Sequence, residues 1–215
     1  MGWQTRQIDF TLAYPQAEAE CQLYMEIPKG FEIRGGNHNH CLKILKKIYG
    51  QWQAGRIWSL HLKDGLQRCG FLQSAVDECI YYQENVIFMV YVDDAILLSP
   101  SKKYIDASLQ DLRQSFKLTD EGNIADYLGI KVTRLATGII SLTQPQLIES
   151  ILRDINFSKN TKSKTIPAVS THLLQQDSEG DTFNEHWDYR SLIGKVNFLE
   201  KSTRPNIAFA VHQCA

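Results

Sequence analysis

The sequence has little of what would mark several protein classes. Its five cysteines, at positions 21, 41, 69, 79 and 214, include no Cys-x-x-Cys pair, so we expect no disulfide framework. No apolar run approaches the roughly 18 residues of a membrane span, and no signal peptide is visible. The formal net charge is only −1, so the chain lacks an overall basic charge for nucleic acid, although a local groove could still be basic.

The composition is that of an ordinary globular protein, with 215 residues of which 43% are hydrophobic and 22% charged. Loose alternation of apolar and polar residues predicts a strand over residues 6–14, ending in a turn at Pro15. We expect a second strand over residues 21–28. Gly and Asn indicate a loop at 31–41, and helical spacing indicates a helix over 53–69 with one costly glycine, Gly65. Residues 78–99 predict two consecutive hairpins, rich in branched and aromatic residues.

The second half of the chain alternates helices with another hairpin. Helical spacing predicts a helix at 101–116, capped by Ser99 or Ser101, and another at 145–155 with proline in its first turn. Residues 126–144 predict strand, turn and strand, 157–187 a polar linker or long loop, and 188–202 a further helix. We therefore predict an α+β fold with a mainly antiparallel sheet and helices on one face.

Two adjacent carboxylates interrupt the apolar stretch "VIFMVYVDDAILLSP" at residues 86–100. Burying a carboxylate is costly unless it is paired or bound to a cation, and Mg²⁺ prefers oxygen ligands. A hairpin tip would present Asp93 and Asp94 to a cleft, and Asp9, near the end of the first predicted strand, is the natural third ligand if the two strands are neighbours. The alternative is an ordinary turn, because Asp tolerates turn geometry.

The residues around this pair resemble a known family. "YVDD" at 91–94 is similar to the polymerase box of reverse transcriptases, and five further blocks follow the order of copia-type LTR retrotransposon polyproteins. These blocks are "QIDFTLAYPQAEAECQLYMEIPKGFE", "LKKIYGQWQAGRIW", "GFLQSAVDECIYY", "ADYLGIKVTR" and "YRSLIGKVNFLEKSTRPNIAFAV". Together they cover residues 7–212 and make the resemblance specific.

The resemblance implies an RNA-directed DNA polymerase in which Asp9, Asp93 and Asp94 are the catalytic carboxylates. Two Mg²⁺ (or Mn²⁺) ions would be held most directly by Asp9 and Asp93, with Asp94 in support and the Phe10 carbonyl as a further ligand. The implied partners are an RNA or DNA template with its primer, deoxynucleoside triphosphates and other parts of the polyprotein, with no membrane. The implied location is intracellular, either cytoplasmic in a virus-like particle or nuclear.

The resemblance also implies binding residues. Ala13 and Tyr14 would lie beneath the incoming nucleotide, where an aromatic ring excludes a ribose 2′-hydroxyl. Other nucleotide-pocket positions are Tyr49, Gly50, Gln53 and Arg56, although a surface salt bridge is an equal alternative for the arginine. The implied primer and template positions are Tyr91 in the box, Tyr127, Leu128 and Gly129 in a primer-grip-like hairpin, and Gly194, Asn197 and Phe198 in a thumb-like helix.

The implied domains are a palm at residues 1–156, a linker at 157–187 and the start of a thumb at 188–215, with the fingers largely missing and the chain ending before RNase H. The chain departs from the family at Gln51, Trp52 and Gly55, which replace Leu, Lys and Pro. Two interpretations therefore stay open: a polymerase domain, or an inactive relic or nucleic-acid-binding module that keeps the palm fold. The order of the blocks argues against an unrelated Mg²⁺-dependent phosphotransferase or nuclease.

Overall fold

A computed structural model describes residues 2–31, 36, 40–157, 161, 164–168, 174, 179–180 and 183–215. The chain divides into two compact units, Met1–Ile124 and Ala125–Ala215. The strands are β1 (Gln4–Asp9), β2 (Glu18–Met25), β3 (Leu42–Lys46), β4 (Leu72–Gln73), β5 (Ile80–Gln83), β6 (Val86–Tyr91), β7 (Asp94–Ser99), β8 (Thr119–Gly122), β9 (Asp126–Tyr127), β10 (Ile130–Arg134) and β11 (Ile140–Thr143). The helices are α1 (Ala13–Gln16), α2 (Ala54–Arg68), α3 (Lys102–Ser115), α4 (Pro145–Asp154), α5 (Tyr189–Ser202) and α6 (Ala208–Cys214).

The first unit is built on a six-stranded sheet with the order β4-β5-β6-β7-β1-β8, in which all neighbouring strands are antiparallel. Strands β2 and β3 form a separate antiparallel pair. The predicted α+β class with antiparallel sheets and helices is therefore confirmed, as are the two consecutive hairpins of residues 78–99.

One face of the sheet carries the core. In β6, Val86, Phe88 and Val90 are buried, and the residues between them are partly exposed, as period-two alternation requires. The buried residues join apolar side chains of α2 and α3 in a single cluster. Both helices therefore cover the same face of the sheet, and Ser101 caps α3 by accepting a hydrogen bond from the Lys103 amide.

The glycine inside α2 has a packing reason. A Cβ at Gly65 would lie 2.1 Å from Cζ of Phe116, far inside van der Waals contact. The Phe116 ring also meets Phe10 and Trp58, with ring centres 5.3 and 6.1 Å away. The cost of glycine in a helix is thus offset by close packing of this aromatic cluster.

The second unit contains the antiparallel sheet β11-β10-β9 and helices α4, α5 and α6. Lys195 of α5 donates hydrogen bonds to Ser150 and Asp154 of α4, at 3.0 and 2.6 Å. Asp188 caps α5 by accepting a hydrogen bond from the Ser191 amide. None of the described residues between 157 and 187 lies in a helix or strand. Within the described ranges, no helix is long and apolar enough to span a bilayer.

Two sequence-based boundaries were wrong. The strand predicted at 6–14 occupies Gln4–Asp9, because Leu12 adopts φ +52° and the following residues form the short helix α1, which buries Ala13. The strand predicted at 21–28 begins earlier and ends earlier, at Glu18–Met25, where it pairs with β3. The loop predicted at 31–41 lies partly outside the described residues. The palm boundary at residue 156 stays a prediction, whereas the compact units divide after Ile124.

Candidate active site

The three aspartates come together at the ends of adjacent strands. Strand β1 pairs with β7 in the register that places Asp9 opposite Asp94. Asp93 lies at the tip between β6 and β7, and its carbonyl accepts a hydrogen bond from the Phe10 amide at 2.7 Å. The prediction that the two strands are neighbours, with the aspartate pair at a hairpin tip, is confirmed.

The hairpin tip has an unusual backbone. Val92 has φ +58°, a left-handed conformation that a β-branched residue rarely adopts. The indole Nε1–H of Trp58, in α2, donates a hydrogen bond to the Val92 carbonyl at 2.6 Å. Because Trp58 is only 2% exposed, this bond ties the strained tip to the core.

The carboxylates influence one another electrostatically. Burial and the charges of Asp93 and Glu121 raise the pKa of Asp9 above its ordinary value. Burial and the charges of Asp93, Asp9 and Glu121 likewise raise the pKa of Asp94. Like charges held this close disfavour joint ionisation, and a bound cation would relieve that repulsion.

The donor set matches what a hard divalent cation takes, namely carboxylate oxygens from more than one segment. The side chains themselves do not meet around one point: among the described residues, no group of three His, Cys, Asp or Glu side chains is arranged to hold a metal ion. The backbone thus brings the three residues together, and their chemistry fits Mg²⁺ or Mn²⁺.

Two tyrosines border the carboxylates. The Tyr49 hydroxyl donates a hydrogen bond to Oδ2 of Asp93 at 3.4 Å, and its ring lies 4.4 Å from that of Tyr14. Burial, the Asp93 charge and this hydrogen bond raise the pKa of Tyr49. Two of the residues predicted for the nucleotide pocket therefore pack together beside a predicted catalytic residue.

The other predicted pocket residues follow the same stretch of chain. Ala13 is fully buried in α1, next to Tyr14. Gly50 has φ +89°, which explains glycine at this turn, and Gln53 is the N-cap residue that precedes α2. Arg56 is exposed in the first turn of α2. It has no acidic partner among the described residues, so the salt-bridge alternative is not seen there.

A cleft of about 240 Å³ lies beside the hairpin, between α2 and strands β5 and β6. Its lining includes Gly55 and Trp58 from the helix and Tyr91 and Val92 from the hairpin. Tyr91, a predicted primer or template contact, is 59% exposed and pairs with Asp94 across the ladder.

The remaining predicted contacts belong to the second unit. Leu128 and Gly129 form the turn between β9 and β10, with φ of +51° and +76°, and Tyr127 precedes them at the end of β9. In α5, Gly194 and Phe198 are exposed and four residues apart, so they share a helix face with the half-buried Asn197. Among the described residues, a Cβ at Gly194 would meet no atom within 4 Å, so packing against them does not explain this glycine.

Two residues at the site, Trp58 and Glu121, were not predicted from the sequence. Trp58 lies in a block that resembles the family, and an aromatic residue in such a block is the feature that could have identified it. Glu121 acts on Asp9 and Asp94 because β8 pairs with β1, about 110 residues away in sequence. No local pattern in the sequence indicates that pairing.

The comparisons with known proteins identify the class. The family described as "Reverse transcriptase (RNA-dependent DNA polymerase)" matches residues 1–170. The chain belongs to this family, and its resemblance to the copia-type retrotransposon enzymes is confirmed.

Individual retrotransposon proteins that are similar to the chain support this assignment to the family. The chain is 32% identical to the "Retrovirus-related Pol polyprotein from transposon TNT 1-94" of Nicotiana tabacum over 97% of its own length and 16% of the polyprotein. It is 30% identical to the polyprotein from transposon RE1 of Arabidopsis thaliana, over 99% of its own length and 14% of that protein. A transposon Ty5-1 protein of Saccharomyces cerevisiae is 23% identical, over 95% of this chain and 67% of that protein. The chain thus spans about a sixth of the plant polyproteins, and no solved structure gives a significant match.

Proposed function

We propose that this chain contains the palm of a copia-type reverse transcriptase and catalyses RNA-directed DNA synthesis, extending a primer 3′-hydroxyl with deoxynucleotides. The observation that supports this most is the β1–β7 register, which places Asp9 opposite Asp94 and next to Asp93 at the hairpin tip. The family match supports this reaction, and the geometry supports these residues as its site.

Each carboxylate has a distinct part in this proposal. Asp9 and Asp93 would hold two divalent cations, Mg²⁺ or Mn²⁺, with Asp94 and the Phe10 carbonyl in support. Bound there, the cations would neutralise charge on the phosphoryl group and on the attacking and leaving oxygens. The hydrogen bond from Tyr49 would orient the Asp93 carboxylate, and the one from Trp58 would hold the tip that carries it.

The nucleotide would lie over the Tyr14–Tyr49 pair. An aromatic ring at Tyr14, held 4.4 Å from its neighbour, would leave no room for a ribose 2′-hydroxyl and so favour deoxynucleotides. Arg56, exposed on the first turn of α2, would face the phosphates. The turn at Leu128 and Gly129 and the exposed face of α5 would contact the primer and template.

Primer extension on poly(rA)/oligo(dT) with Mg²⁺ or Mn²⁺ tests the proposal, with Asp93→Asn as the matched variant. We expect extension by the natural chain and none by Asp93→Asn, because removing one carboxylate removes a cation ligand and leaves the fold intact. Equal extension by both proteins would refute the assignment of Asp93.

A second function is favoured by one observation: the three carboxylates do not converge as a metal site among the described residues. In that case the chain would be a nucleic-acid-binding module without catalysis. Binding of primer–template without extension, in a folded sample with millimolar Mn²⁺, would support this module and reject the polymerase.

A further inference from the structure

The indole of Trp52 is 100% exposed, which is unusual for the largest apolar side chain. The other three tryptophans are buried or half-buried. In the block "LKKIYGQWQAGRIW", Trp52 stands where the family that the block resembles has a lysine, so the chain carries an aromatic ring in place of a positive charge. The indole face is therefore open to a stacking partner.

The exposed ring stands on a fixed backbone. The Gln51 amide donates to the Ile48 carbonyl at 3.3 Å, and the Gln51 side chain accepts from the Ile48 amide at 3.3 Å. On the other side, the Ala54 amide donates to the Gln51 carbonyl at 3.1 Å, and α2 begins. Both neighbours of Trp52 are thus held, and the indole projects from an ordered turn.

This turn is next to the proposed catalytic residues. The hydroxyl of Tyr49 is 3.4 Å from Asp93, and Trp52 follows three residues later, at most about 11 Å along the chain. The Trp52 ring therefore belongs to the same short turn as the tyrosine that hydrogen-bonds Asp93.

The surroundings favour a nucleic-acid strand over a protein surface. The residues directly before and after Trp52 are the polar Gln51 and Gln53. Arg56, exposed four residues later, has no acidic partner in the described part of the chain. An exposed ring near such a cation is the arrangement that binds single strands, by stacking and by phosphate attraction.

We propose that Trp52 stacks on an unpaired base of the template strand, just ahead of the site of synthesis. This inference rests on the proposed polymerase function and adds to it a specific contact. Stacking depends little on base identity, so the contact would tolerate any template sequence. It would also replace an ionic contact by a salt-independent one.

The test is the affinity for two labelled DNA duplexes, one with a single-stranded 5′ template overhang and one blunt. Trp52→Ala should weaken binding of the overhang duplex about 5- to 150-fold, which corresponds to ~1–3 kcal/mol of stacking, and leave blunt-duplex binding unchanged. Trp52→Phe should retain most of the affinity. Val76→Ala, at a side chain that is 97% exposed, is the matched control and should behave as the natural chain.

Salt dependence separates stacking from charge. Trp52→Ala should leave the slope of log affinity against log salt unchanged, whereas Trp52→Lys should steepen it by about one phosphate contact on the single strand. A change of slope in the alanine variant would overturn the stacking role.

The remaining outcomes also decide between interpretations. If the natural chain binds the overhang and extends primers while Trp52→Ala does both equally well, this inference fails and the polymerase proposal stands. If the natural chain binds neither duplex, both the proposed polymerase function and the stacking role of Trp52 are rejected. If the natural chain self-associates in sedimentation velocity and Trp52→Ala does not, while overhang binding is unchanged, then Trp52 contacts a second copy of this chain and the stacking role is rejected.

Discussion

Replacing Gly65 by alanine should destabilise the first unit, although alanine is the better helix former. The new methyl would lie 2.1 Å from Cζ and 2.7 Å from Cε2 of Phe116. Carbon atoms in contact lie about 3.5 Å apart, so the Phe116 ring would have to move by roughly 1.4 Å. It has no free direction, because it is 5% exposed and its centre is 5.3 Å from that of Phe10 and 5.7 Å from that of His61.

Two opposing contributions set the magnitude. Overpacking a well-filled core costs ~1–3 kcal/mol, and a clash this short in an aromatic cluster belongs at the upper end. Replacing glycine by alanine inside a helix gains ~1 kcal/mol. We therefore expect Gly65→Ala to lower the free energy of unfolding by about 2 kcal/mol. Because Phe10 follows Asp9, displacement of the ring should also reduce primer extension.

Urea unfolding followed by tryptophan fluorescence measures this change, and Gly194→Ala is the matched control. That glycine lies in α5, where an added methyl would meet no atom of the described part of the chain within 4 Å, so its substitution should stabilise by about 1 kcal/mol. Phe116→Leu should relieve the clash, so the double variant should be more stable than the sum of the two single changes. Stabilisation by Gly65→Ala, or additivity in this cycle, would refute the packing argument.

Two further predictions concern the site. Trp58→Phe removes the donor to the Val92 carbonyl, so we expect the free energy of unfolding to fall by about 1 kcal/mol. Primer extension should become slower, with little change in primer affinity. Unchanged extension would mean that the hairpin tip does not need this hydrogen bond. The pKa values of Asp9 and Asp94 are raised above 3.8, so their ionisation opposes folding, and stability should fall as pH rises from about 3.8 through the raised pKa values. In metal-free urea titrations an Asp9→Asn/Asp94→Asn protein should lack this fall, and a pH profile parallel to that of the natural chain would contradict the raised pKa values of these two carboxyls.

The sequence predicted those elements whose pattern is local. Helix α2 was expected at 53–69 and occupies Ala54–Arg68, because its apolar residues recur at helical spacing. The hairpins of residues 78–99 were expected from branched and aromatic runs separated by short turns, and β5, β6 and β7 follow them. Asp93 and Asp94 were predicted in the same way, since a charged pair inside an apolar run is a local signal, whereas Asp9 was predicted from its place near the end of a strand and from the family resemblance.

The rest depends on contacts between distant parts of the chain. The strand predicted at 6–14 ends at Asp9 because the Thr11 amide bonds to the Lys117 carbonyl and α1 then buries Ala13. Glu121 reaches the site only through the β1–β8 pairing. Neither the end of β1 nor the β1–β8 pairing follows from the periodicity of a single segment. The electrostatic environment of the carboxylates therefore could not be predicted from the sequence.

The register of β1 and β7 links the core to the site. Ile8 lies opposite Ala95, and both are fully buried, whereas the next pair, Asp9 and Asp94, faces the other side. A slip of one residue would turn Asp94 into the core and expose Ala95, at the cost of burying a carboxylate. The packing of Ile8 and Ala95 therefore excludes the one-residue slips that would separate the two aspartates. Substitutions in this part of the core should for that reason affect primer extension as well as stability.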